Sequence, residues 1–186
     1  MSGAGRLFVV SGPSGSGKSS LITELLAITD VDFSVSATTR SPRPGELDGT
    51  HYHFVSRPRF EEMIDNGELV EWAEYNHHMY GTPLAPITEA NSRGRDVLLD
   101  IEIQGARQVK ESRPDAVMIF IAAPSIEELA TRLTSRGDTS IEDIEDRLAI
   151  ASQQLAEAGE LFDHIVVNDD FDAAVNELLT VITAEQ

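Results

Sequence analysis

The sequence predicts an α/β fold, and three observations predict it. Leu7 to Val10 are four consecutive apolar residues, the mark of a short strand buried on both faces, and Lys18 to Ile28 carries helical spacing. Between strand and helix, GPSGSGKS at Gly12 to Ser19 fits the spacing G-x-x-x-x-G-K-[ST]. From there apolar strands and helical stretches alternate to the end of the chain, interrupted by a strand-rich, partly antiparallel insert.

In the glycine loop, Gly12, Gly15 and Gly17 let the backbone turn tightly and approach a ligand with no Cβ in the way. Successive N–H groups then point into one concavity, which suits phosphate. The helix beginning at Lys18 adds its positive end, Lys18 reaches the β and γ oxygens, and the Ser19 hydroxyl is placed to ligate Mg2+. The candidate triphosphate segment is Gly12, Pro13, Ser14, Gly15, Ser16, Gly17, Lys18, Ser19 and Ser20. A plain Gly/Ser turn is the alternative, and the strand before and helix after weigh against it.

A chain of 186 residues makes one compact domain with a real core. There is no cysteine, hence no disulfide and no thiolate zinc site. No apolar run has membrane length and MSGAGR lacks a signal-peptide core, so the expectation is a cytoplasmic protein without membrane contact. With 32 acidic against 14 basic residues the net charge is −18, which repels nucleic acid and excludes it as a partner. Against that background the cations are informative: the only lysines are Lys18 and Lys110.

Val31 to Ser36 reads as a strand leading into a loop, SATTRSPRPGE, in which Arg40 and Arg43 flank Pro42. Two guanidiniums three residues apart on a stiffened loop either fork around one phosphate or are solvated surface charges. HYHFV at 51–55 and LVEWAEY at 69–75 read as strands around a helix at Arg59 to Asn66. The period of two puts Glu71 on the face of Leu69, Ala73 and Tyr75, where an acid is either a satisfied structural carboxylate or an acceptor awaiting a ligand's donors. Tyr80 to Pro83 reads as a turn and Pro86 to Ser92 as a helix.

Asp96 to Ile103 reads as a buried strand with Asp100 and Glu102 on one side of its C-terminal end, where ligands of open α/β sheets gather. Asp100 is either an acid that holds Mg2+ through water or a cap for the helix starting near Gln104. Ala116 to Ala122 is a strand, and Ser125 with Glu128 forms a capping box for a helix ending at Gly137. A further helix starts near Ser140. Arg132, Arg136 and Arg147 around the hinge Gly137, Asp138 and Thr139 are either surface ion pairs or a mobile cationic lid. His164 to Asn168 is the last strand, with Asp169 or Asp170 capping the closing helix. The five histidines show no metal spacing and read as structural or exposed.

Over nearly its whole length the chain resembles the guanylate kinases, through SGPSGSGKSS, SVSATTRSPRPGE, GTHYHF, VEWAEY, YGTP, VLLDIEIQGA, RLTSRG, DRL and HIVVND. The resemblance implies a P-loop three-layer α/β/α core with a parallel five-stranded sheet (1–35, 95–130 and 151–186), a small mixed α+β GMP-binding insert (36–94) and a helical lid (131–150), all in one domain. It implies transfer of the γ-phosphoryl group of ATP to GMP, with dGMP also accepted and Mg2+ as cofactor.

Arg40, Arg43, Tyr52 and Tyr80 match residues that hold the GMP phosphate, and Ser36, Glu71, Thr82 and Asp100 those that read guanine. Lys18, Arg132, Arg136 and Arg147 match the cations on the transferred phosphoryl group, with Arg43 also counted as catalytic. Asn168 falls near where such enzymes hold adenine, and Ser19 and Asp100 are the metal positions. Met79, Glu102 and SRGDTS depart from the common pattern without removing any of these groups.

ATP and GMP are the implied partners of a monomer or homodimer. The rival is the catalytically inactive, peptide-binding guanylate-kinase-like module, which tends to lose residues such as Lys18, Ser19, Arg40 and Arg43. A P-loop GTPase would need N-K-x-D and D-x-x-G, and an ABC-type ATPase its LSGGQ-like signature, none of which occurs.

Overall fold

A computed structural model describes residues 4–135 and 141–184. In chain order its elements are β1 (Leu7–Ser11), α1 (Lys18–Ile28), β2 (Asp32–Phe33), β3 (Ala37–Thr38), β4 (His53–Phe54), α2 (Arg57–Asp65), β5 (Leu69–Tyr75) and β6 (His78–Pro83). They continue as α3 (Leu84–Ser92), β7 (Val97–Asp100), α4 (Ile103–Ser112), β8 (Val117–Ala122), α5 (Ile126–Ser135), α6 (Ile141–Leu161), β9 (His164–Val167) and α7 (Phe171–Thr183). The five-stranded sheet runs β2-β7-β1-β8-β9, with β2 parallel to β7 and β8 parallel to β9; a four-stranded sheet runs β4-β3-β6-β5.

The strands of the larger sheet are near-continuous apolar runs because helices cover parallel sheets on both faces. Leu7, Phe8, Val9 and Val10 have no solvent exposure, and neither do Met118 to Ile121. Burial of each such side chain contributes about 1.5–3 kcal/mol.

The chain falls into two compact units, Met1–Val9 with Asp30–Ala116, and Val10–Thr29 with Val117–Gln186. The first contains the four-stranded sheet, packed on a core of Ala37, Phe60, Met63 and Met79. Met79, a departure from the family pattern, is simply a core residue there. In the second unit, Leu129 and Leu133 of α5 pack with Ala151 of α6, flanked by Ile144 and Leu148.

Several boundaries differ from expectation. Of the strand read over Val31 to Ser36 only β2 (Asp32–Phe33) forms, because the chain leaves the parallel ladder after Ser34, whose amide still donates to Leu98 O at 3.1 Å; β3 begins beyond that span, at Ala37, in the other sheet. Tyr80 to Pro83 is strand rather than turn. The reversal sits at Asn76 and His77, both with positive φ (48° and 64°), between the paired Tyr75 and His78. Tyr75 is consequently 64% exposed at the hairpin tip and leaves the apolar face it was expected to share with Glu71. Helix α2 begins at Arg57 because Ser56 accepts from the Arg59 amide and Pro58 fits the first turn. Strand β7 ends at Asp100, and the N-cap position of α4 is Glu102, not Asp100, with no side-chain capping hydrogen bond.

Ser125 accepts from the Glu128 amide at 3.1 Å, as expected of a cap, and Asp170 rather than Asp169 caps α7. The expected helix end at Gly137, the hinge Gly137 to Thr139 and the start at Ser140 lie outside the described residues.

Candidate active site

In the unit that holds Val10–Thr29, the loop after β1 turns through Gly12, Gly15 and Gly17, with φ of 154°, 90° and 87°. A Cβ at Gly12 would fall onto the Ile121 carbonyl, so only glycine lets the loop lie this close to β8. The Ser16 amide donates to Pro13 O at 3.1 Å and closes the turn. Gly17 is the N-cap of α1 and offers no side chain to its first amides. An uncapped N-terminus behind a glycine loop leaves those donors and the helix dipole to a ligand anion. The Ser16 hydroxyl is buried with no hydrogen-bond partner among the described residues, as an oxygen-rich ligand would require of a loop donor. Lys18 is half-buried at the start of α1, and Ser14, Ser19 and Ser20 are exposed.

Of the three arginines read as either surface ion pairs or a lid, Arg132 and Arg147 are described. Arg147 on α6 donates to Ser14 Oγ at 3.3 Å. Arg132 on α5 is paired with Glu128 at 2.9 Å and donates to Asn168 O at 3.0 Å. Arg136 lies outside the described residues. Asn168, at the end of β9, is 7% exposed, and its side-chain amide donates to Ser16 O at 2.8 Å. A Cβ at Gly17 would fall onto that same amide nitrogen. The Asn168 side chain thus ties the end of β9 to the glycine loop.

The other candidate set lies in the unit that holds Asp30–Ala116. Arg40 is not a free fork. Its two terminal nitrogens donate to Glu46 at 2.9 Å each, one also donates to Ser41 O at 2.8 Å, and the guanidinium lies 5.4 Å over Tyr52 and 5.7 Å over Phe54. Glu46 also accepts from the Arg43 amide at 2.7 Å, and Arg43 itself is exposed. The Arg40 hydrogen bonds, then that amide, hold the Glu46 carboxyl at about 2. Glu46 is therefore the clasp of the arginine loop, a role that sequence reasoning missed. The signal was an acid three residues after Arg43 in the same block.

Tyr52 and Tyr80 meet edge to face at 6.1 Å. Burial, and next the Asp100 charge, push the Tyr52 hydroxyl up, which places Asp100 within electrostatic reach of it.

Ser36, Thr82 and Glu71 form a chain: the Ser36 and Thr82 hydroxyls are 3.5 Å apart, and Thr82 donates to Glu71 Oε1 at 2.6 Å. Glu71 faces Thr82 across β5 and β6 and is 5% exposed. Burial raises its carboxyl from an ordinary 4.5 to about 7, against the pull of the Thr82 hydroxyl and amide. A second missed residue, Gly105, lies against it in the first turn of α4.

Among the described residues no group of three or more His, Cys, Asp or Glu could hold a metal ion, and no helix is long and apolar enough to cross a membrane.

The sequence model of the family described as Guanylate kinase matches residues 4–185. A guanylate kinase of Thermus thermophilus is 50% identical over 182 residues, 98% of this chain and 82% of that protein. One from Desulfitobacterium hafniense is 49% identical over 183 residues, 98% of this chain and 91% of its own length. Among solved structures, guanylate kinase from Anaplasma phagocytophilum superposes with a TM-score of 0.79 at 33% identity, covering 98% of this chain and 87% of that one. A shikimate kinase from Bacteroides thetaiotaomicron, at 14% identity and a TM-score of 0.51, shares the fold alone. Likeness of this depth runs from the glycine loop to the closing helix, and so the chain belongs to the guanylate kinase family and is a kinase that acts on GMP.

Proposed function

We propose that the chain transfers the γ-phosphoryl group of ATP to GMP, giving ADP and GDP, in line and without a general base, and that it accepts dGMP as well. The observation that carries the acceptor assignment is Glu71, a carboxylate 5% exposed that burial lifts to about 7. A desolvated acceptor gains most from a ligand that brings donors. Guanine presents N1–H and a 2-amino group side by side; adenine has an acceptor at N1 and no 2-amino group, leaving the acid unpaired. Sites built around substrate donors reject analogues lacking them by ~10⁴-fold or more. Ser36, Thr82 and Asp100 complete the base site in this reading. Arg40, Arg43, Tyr52 and Tyr80 hold the phosphate, Arg43 directly and Arg40 as oriented by Glu46.

No base is needed, because the attacking oxygen belongs to a phosphate whose second pKa is near ~6. Two anions must be aligned, their charge shielded and water excluded. The glycine loop and Lys18 hold the donor phosphates in this scheme. Arg43, Arg132, Arg136 and Arg147 gather on the transferred group as the lid of residues 131–150 closes over ATP, Arg136 resting on sequence alone.

Mg2+ would accompany ATP in this reading: the Ser19 hydroxyl, exposed on the first turn of α1, and the half-buried Asp100 carboxylate at the end of β7 are hard oxygens of the kind this ion takes beside substrate phosphates. When bound, it would supply positive charge against the substrate phosphates.

The test is ADP release, coupled to NADH oxidation, with ATP and each of GMP, dGMP, AMP and dTMP. GMP and dGMP should turn over readily, and AMP with a kcat/KM lower by about 10⁴-fold. No ADP with GMP would overturn the proposal.

A further inference from the structure

We propose that Gly105 is a specificity-determining residue: the hydrogen in place of its side chain leaves the space in which the Glu71 carboxylate sits, and so it sets the preference for guanine over adenine nucleotides. The inference rests on Glu71 reading guanine. Gly105 is the third residue of α4 and is buried. Glycine is the poorest helix former after proline, yet here it stands in a first turn whose conformation any residue can adopt.

The space explains it. A Cβ on Gly105 would fall onto Glu71 Oε2, and would lie 2.9 Å from Cδ and 3.3 Å from Cγ. Glu71 cannot swing aside into water, being 5% exposed and tethered by the Thr82 hydroxyl at 2.6 Å. Nor can helix and strand part to make room. Three residues on, Gln108 binds the backbone of Trp72, the residue after Glu71: its amide donates to Trp72 O at 2.7 Å, and its carbonyl accepts from Trp72 N at 3.2 Å. That pair of bonds fixes α4 against β5 within one turn of the glycine. A methyl group at 105 must therefore displace the carboxylate itself.

The experiment compares Gly105→Ala, Glu71→Asp and the double variant by kcat/KM with GMP and with AMP, at saturating ATP. Gly105→Ala should lower kcat/KM for GMP on the order of 10- to 100-fold, the size of a lost pairing to a buried acceptor, and leave AMP unchanged. KM for ATP should stay as in the wild type. Glu71→Asp shortens the acid by one methylene, so adding Gly105→Ala to it should cost GMP less than threefold.

A merely structural glycine would lower GMP and AMP together. Wild-type GMP:AMP selectivity in Gly105→Ala overturns the proposal, and so does a penalty of equal size with and without Glu71→Asp. Should Gly105→Ala fail to fold, as judged by its circular dichroism melt, the comparison of Glu71→Asp with the double variant decides alone. A wild-type enzyme that does not prefer GMP to AMP would instead sink the role of Glu71, a distinct outcome.

Discussion

Glutamine at position 71 should make the nucleotide-free protein more stable at alkaline pH while removing the carboxylate proposed to read guanine. The Glu71 carboxyl titrates near 4.5 in an unfolded chain and at about 7 in the fold, because burial disfavours its charge. Between those values the folded state binds more protons than the unfolded one, so stability falls as pH rises through the window and is fully reduced above it. The whole gap is worth about 3 kcal/mol; about 1 of that is already felt at pH 5.5, so the loss from pH 5.5 to 8.5 is about 2 kcal/mol. Glutamine keeps the volume and an acceptor for Thr82 but has no proton to titrate. All other groups being shared, the stability difference between Glu71→Gln and wild type should widen by about 2 kcal/mol over that range, or about 4–8 °C in Tm. Urea titrations at both pH values, followed by fluorescence of the single tryptophan, Trp72, measure it. Midpoints that move in parallel for the two proteins would refute the account of a desolvated acid.

Three further outcomes are expected. Glu46→Gln loosens the clasp on Arg40 and the Arg43 amide and should raise KM for GMP on the order of 10-fold while KM for ATP holds; an unchanged KM for GMP would remove Glu46 from the site. Asn168→Ala takes the donor from Ser16 O, so KM should rise on the order of 10-fold for ATP and by the same factor for GTP as donor. A shift in the ATP:GTP ratio would return Asn168 to a base-reading role. Lys18→Ala and Arg147→Ala should each cut kcat by about 10²- to 10³-fold and leave the calorimetric Kd for GMP within about threefold; wild-type turnover in both would exclude them from charge stabilisation.

What was legible in the sequence is what a short window of residues determines. The apolar run at Leu7, the glycine spacing and the helix after it are local facts, and the structure holds that helix at Lys18–Ile28, as expected. The four-stranded sheet was less legible. Its strands β3 and β4 are two residues long, and its hairpin turns at Asn76 and His77 without the glycine that usually marks such a turn. Tyr80 to Pro83 was read as turn because Gly81 and Pro83 carry that signal; pairing with Leu69 to Ala73, which no window shows, overrides it.

The candidate site divides the same way. Side chains whose type names their chemistry, such as Lys18, Arg43 and Glu71, can be picked from a list of letters. The residues that hold them cannot, since their value lies in a partner far along the chain: Asn168 binds Ser16 from 152 positions away, and a Cβ at Gly105 would fall onto the Glu71 carboxylate 34 positions before it. Physical cost is the signal that remains in the sequence. A glycine in a helix first turn weakens the helix by up to about 1 kcal/mol relative to alanine, and a glutamate on the apolar face of a strand must be desolvated. Each is unfavourable alone, and the structure shows the two unfavourable choices touching. Where two local penalties meet at one contact, the compensation has to come from something the contact does, and in the reading proposed above that something is an acceptor held ready for a base.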